Sequence, residues 1–154
     1  MHSIRYSLAL AAVGALFATG SATAQDEKID FEKQIYPLIE ESCKKCHRPA
    51  YEDERGRLRR PKAGLVVTNK EALLKGAEED GEVRPVLAPG KPDDSSFYTR
   101  TLLELEDDEH MPPEDKAPQW TDEQKGLFAA WIKAGADFGD WAGDPKPNEL
   151  PAEQ

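Results

Sequence analysis

Apolar residues recur at helical spacing in four places along this 154-residue chain. Phe31, Ile35, Leu38 and Ile39 stand at i, i+4, i+7 and i+8 behind Asp30 as an N-cap, which predicts an amphipathic helix ending at Cys43. Pro37 lies inside that pattern, so a kink or a restart is expected there, because proline has no N–H to continue a helix. Thr68 and Glu71 have the spacing of a capping box and predict a short helix over 70–75, stopped by Gly76 in the left-handed conformation. Asp94 or Ser95 can cap a third helix with Tyr98, Leu102 and Leu105 on one face. The last helix is the clearest: Thr121 and Gln124 make a second box, Leu127, Phe128, Trp131 and Ile132 form the stripe, and Gly135 ends it.

The segments between these patterns read differently. Gly64-Leu65-Val66-Val67 is a short extended stretch that needs an apolar surface to pack on. Residues 48–61 read as a solvated loop carrying Arg55, Arg57, Arg59 and Arg60, and residues 77–92 as an irregular loop punctuated by Pro85, Pro89 and Pro92. From Asp137 the chain turns polar, with Pro145, Pro147 and Pro151, and is expected to fray. At the other end, Arg5, the apolar run from Leu8 to Ala18 and the small residues Ala22-Thr23-Ala24 have the order of a secretory signal peptide. That run is too short to span a bilayer comfortably. The expected division is a signal peptide over 1–24, one domain over 25–138 and a polar, proline-containing tail over 139–154.

Cys43-Lys44-Lys45-Cys46-His47 carries the chemistry. Two thiols three positions apart, followed at once by an imidazole, form the attachment signature of a c-type haem. One turn of chain lets Cys43 and Cys46 reach the two vinyl groups of one porphyrin, and His47 then falls beneath the iron as the proximal ligand. Two other readings compete with it. A zinc site wants four ligands, and the chain has no second cysteine pair. A dithiol redox pair belongs at a helix start within a βαβ pattern, which is absent from the sequence. Export suits the haem reading, since haem c is attached outside the bacterial cytoplasm.

Without residues 1–24, Met111 is the only methionine left, and His47 and His110 are the only histidines. The sixth position on the iron is therefore Met111, His110, or open. Packing alone gives little account of a lone methionine between charges and prolines, so Met111 is the preferred ligand, with His110 an exposed neighbour. The formal net charge of −10 becomes one unit more negative when Arg5 leaves with the signal peptide. That excess makes nucleic acid and anionic membranes poor partners and a redox protein with a cationic docking surface a better one. Glu104, Glu106, Asp107, Asp108 and Glu109, just before Met111, are candidate docking residues or plain solvated surface.

Taken in order, these residues resemble class I cytochromes c, and more narrowly the planctomycete-type cytochrome c domain. The marks are Ile35-Tyr36-Pro37-Leu38, the Cys43–His47 motif, Gly64-Leu65, Leu73-Leu74-Lys75-Gly76, Pro89-Gly90-Lys91-Pro92, Met111-Pro112-Pro113 and Trp131–Ala136, over about residues 29–138. The resemblance implies an all-α fold of about four helices around one covalent haem c, with the first and last helices crossing beside it. It also implies iron ligated by His47 and Met111, and single-electron transfer rather than catalysis. The alternative function is a haem enzyme or sensor whose labile sixth ligand gives way to a small molecule or peroxide.

Overall fold

Asp30 accepts a hydrogen bond from the Lys33 N–H and caps the first helical segment, as its position predicts. The computed structural model describes residues 28–144, so the signal-peptide segment and the tail from 145 lie outside the described residues. The first segment is two pieces: a wide π-type turn over Phe31–Ile35, then helix α1, Tyr36–Ser42. Pro37 falls in the first turn of α1, where its missing N–H has no partner to lose, so the restart occurs where proline permits it.

Helix α2 spans Lys70–Lys75 as expected, but its cap is Asn69, whose side chain accepts from the Ala72 N–H. Thr68 is buried, and its carbonyl accepts from the Asp144 N–H. The third helix is shorter than its pattern implies. Helix α3 is Ser96–Thr99, followed by a 3₁₀ turn over Arg100–Leu102. Ser95 precedes it, but its hydroxyl bonds Ala88 and Lys91 rather than the helix N-terminus. Phe97 points inward, while Leu102 and Leu105 are exposed. Helix α4, Asp122–Lys133, has both hydrogen bonds of the Thr121/Gln124 box and buries Phe128, Trp131 and Ile132.

The expectation of an all-α fold is not met. The described residues are 37% helical and 10% strand, with two small antiparallel sheets, and are therefore mixed α/β. Strands β1 (Tyr51–Glu52) and β2 (Leu58–Arg59) pair within the arginine-rich loop. Strands β3 (Ala77–Glu79) and β4 (Glu82–Arg84) pair within the loop after α2. The second hairpin turns on Asp80-Gly81, both at positive φ (53° and 80°), the backbone that matches the twist of a two-residue hairpin. Glu79 and Glu82 face each other across the ladder, and Arg100 and Arg84 respectively offset them at 3.1 Å.

The core is aromatic and joins the first and last helical segments. Phe31 lies 5.0 Å from Trp131 and 4.5 Å from Phe138 between ring centroids, and Phe128 sits 5.0 Å from Trp120. Leu65, Val66 and Val67 are buried, as the extended reading requires. The fraying expected from Asp137 does not begin there. Trp141 packs at 4.8 Å from both Phe31 and Tyr36, and the Ala142 carbonyl accepts from Lys70, so residues through 144 are stitched to the domain. The reason is apolar area: two large rings, Phe138 and Trp141, sit within that otherwise polar stretch.

Candidate functional site

Helix α1 ends at Cys43, whose N–H still reaches Ile39 O at 2.8 Å. The chain then curls on itself. Both the Cys46 and His47 N–H groups turn back to Cys43 O, at 3.2 and 3.0 Å, which brings the two thiols and the imidazole onto one turn. A second layer holds that turn. Lys62 N–H donates to Cys46 O, Val67 N–H donates to His47 O, and the His47 ring places Nδ1 3.2 Å from Lys62 O. With its Nδ1–H given to a carbonyl, the ring keeps the Nε2 lone pair for a metal.

The surroundings of the ring favour loss of its charge. Burial holds His47 below the ordinary histidine value, the charge of Arg100 pushes the same way, and the carbonyls of Lys62 and Leu65 oppose it. Cys43 is unlike the activated thiol of a redox pair. Burial, reinforced by Cys46, pushes Cys43 up to about 12, whereas a reactive dithiol needs a lowered thiol. Both cysteines are free, Cys46 being exposed.

Met111 is half-buried on a separate loop, its N–H donated to Arg100 O at 3.0 Å and its peptide bond to Pro112 cis. His110 is not the exposed neighbour expected. It is buried, with Nδ1 2.9 Å from Leu103 O and Nε2 2.8 Å from Gln119 Oε1. Gln119 in turn donates to Pro112 O at 2.8 Å. The acidic residues Glu104 and Glu106 to Glu109 are all exposed, as solvated or docking groups would be. Ser42, directly before Cys43, is buried and donates to Pro118 O at 2.8 Å. Ser42, Gln119 and the Lys62 carbonyl carry no signal in the sequence. Each acts through a backbone group or through a partner far along the chain.

The turn and its anchored imidazole suit a site of the covalent haem type, and the comparison with known families points the same way. Residues 43–115 match the family described as Planctomycete cytochrome C. This segment has the sequence pattern of a planctomycete-type cytochrome c domain. The matched span opens on Cys43 and takes in Met111, while the Ile35–Leu38 and Trp131–Ala136 marks fall outside it. No curated protein and no solved structure is significantly similar to the chain.

A cytochrome c domain implies haem c and its iron, and the residues present fit that group. Cys43, Cys46 and His47 share one turn. Next to them Arg48 keeps a buried Nε without a hydrogen-bond partner, a donor suited to an acidic group such as a haem carboxylate. Among the described residues no three His, Cys, Asp or Glu side chains converge on a point, so a bare ion lacks a protein cage. Iron carried by a porphyrin needs none.

Proposed function

We propose that the protein is an exported mono-haem cytochrome that carries single electrons, with thioethers at Cys43 and Cys46 and iron held between His47 and Met111. The observation that carries this reading is the His47 ring. Its Nδ1 lies 3.2 Å from Lys62 O, the kind of backbone partner that orients an imidazole offering Nε2 to a metal. When bound, haem c supplies the Fe(III)/Fe(II) couple. His47, held through Lys62 O, and Met111 would supply an imidazole and a thioether to the iron, a ligand pair that would favour the ferrous state and raise the potential.

Export is supported by the signal-peptide order of residues 1–24, and a cationic redox partner by the excess of carboxylates. Among the described residues no helix is long and apolar enough to cross a membrane. The enzyme or sensor reading has less support, because His110, the histidine beside Met111, is buried against Leu103 O and Gln119 rather than presented as an acid–base group.

The test is expression in a host competent for cytochrome c maturation. A denaturing gel stained for haem should give a band at the protein's mass, and Cys43→Ala or Cys46→Ala should weaken it. Ferric protein should show the weak far-red band of sulfur-to-iron charge transfer, and Met111→Ala should abolish it. A haem lost in denaturant, or a far-red band that survives Met111→Ala, contradicts the proposal.

A further inference from the structure

The segment 118–120 touches both the haem-attachment helix and the loop that carries Met111. On one side it is fixed to α1 at two points four residues apart, which lie on one helix face. Trp120 Nε1 donates to Leu38 O at 3.4 Å, and Ser42 Oγ donates to Pro118 O at 2.8 Å. Trp120 is itself buried against Phe128. On the other side Gln119, between those two anchors, clasps both neighbours of Met111. Its Nε2 donates to Pro112 O, which leaves Oε1 facing His110 Nε2, both at 2.8 Å. His110 is buried and ties back to Leu103 O.

We propose that Ser42, Gln119 and His110 form a strut that fixes the position of Met111 relative to the Cys43–His47 turn. This deepens the His47/Met111 reading and rests on it. None of the three touches the iron in that reading; they are positioning residues. Their effect is on the balance between bound and detached thioether, because Met111 cannot swing away without pulling His110 or Pro112 from the Gln119 amide. The strut also accounts for the choice of ligand at this loop. His110 would have to leave its contacts with Leu103 O and Gln119 and uncover a buried ring to reach a metal.

The experiment uses the haem-loaded protein and free imidazole, which must displace Met111 to bind ferric iron. Its apparent affinity scales with the fraction of molecules in which the thioether is detached. Gln119→Leu and Ser42→Ala should each raise that affinity roughly three- to tenfold, water replacing part of what is lost at the exposed Gln119. The far-red band should weaken in parallel. The double variant should gain less than the product of the two, since both break one strut. Asn69→Ala, which removes the α2 cap on another part of the surface, serves as the control. It should lower the unfolding midpoint and leave imidazole affinity unchanged.

Wild-type affinity in both strut variants overturns the proposal, as does an equal gain in Asn69→Ala. Multiplicative effects in the double variant also overturn it, by reducing the strut to two unrelated contacts. Gln119 lies on the surface, so its variant folds even if Ser42→Ala does not, and its affinity then decides. Failure of the ligation reading looks different. In that case wild type lacks the far-red band and Met111→Ala leaves imidazole affinity where it was.

Discussion

Asp53 gathers the charges of the arginine-rich stretch. Its carboxylate accepts from the N–H groups of Arg55 and Arg57, each at 3.0 Å, and pairs with the guanidinium groups of Arg57 and Arg59. Two of the four arginines there therefore hold the β1–β2 hairpin. The Arg57 N–H first, then its side chain, then the Arg55 N–H and the Arg59 side chain, draw Asp53 from 3.8 down to about 2. A carboxyl depressed in the folded state stabilises it above the ordinary value and loses that contribution as the pH falls through the folded value. Wild type should therefore exceed Asp53→Asn in unfolding midpoint at neutral pH, and the gap should close between pH 3.8 and about 2. A constant gap down to pH 2 would assign the hairpin's stability to hydrogen bonding without charge. At this scale the sequence was legible where spacing alone dictates chemistry, as in Cys43–His47. It was mute for His110, whose burial is decided by Leu103 and by Gln119, nine residues on.

Elements were legible when their own residues decide them. The α4 capping box and stripe appear as read, because cap, core face and stop all lie within one stretch. Thr68 failed as a cap because the strand-like passage of residues 142–144 claims its backbone, and Asn69 took over. The hairpins went unread because two- and three-residue strands are too short to alternate, although Asp80-Gly81 is a hairpin signal in plain view. Gly76 shows how α2 and the second hairpin constrain each other. Its φ is +97°, and a Cβ there would stand 1.9 Å from Arg84 O and 2.7 Å from the Pro85 Cα. Gly76→Ala must push β4 off β3, and should cost about 3 kcal/mol or more in denaturant titrations. Gly81→Ala, at φ +80° with open space around it, should cost only the backbone strain, about 1 kcal/mol. Equal losses in the two variants would refute the contact between the end of α2 and the hairpin.

Across the whole molecule the excess of carboxylates is uneven, with Glu104, Glu106, Asp107, Asp108 and Glu109 exposed together ahead of Met111. If this face receives a cationic partner, neutralising Asp107, Asp108 and Glu109 together should slow electron exchange with a small cationic reagent and speed it with an anionic one. Variant and wild type should converge at high salt, as the Debye length of about 10 Å at 0.1 M shortens. Equal changes with both reagents would instead mean a shifted potential or a disturbed Met111 loop. The aromatic core has a further consequence, in light rather than in charge. The three tryptophans of the chain, Trp120, Trp131 and Trp141, are all buried, at 5%, 1% and 7% exposure, in one network of rings. A porphyrin seated in the same small domain drains their excitation by energy transfer, so the folded, haem-loaded molecule should be almost dark in the ultraviolet. Unfolding lengthens the distances, while the proposed thioethers would keep the quencher on the chain. Emission then reports how far the rings have moved from the haem, with no dye attached.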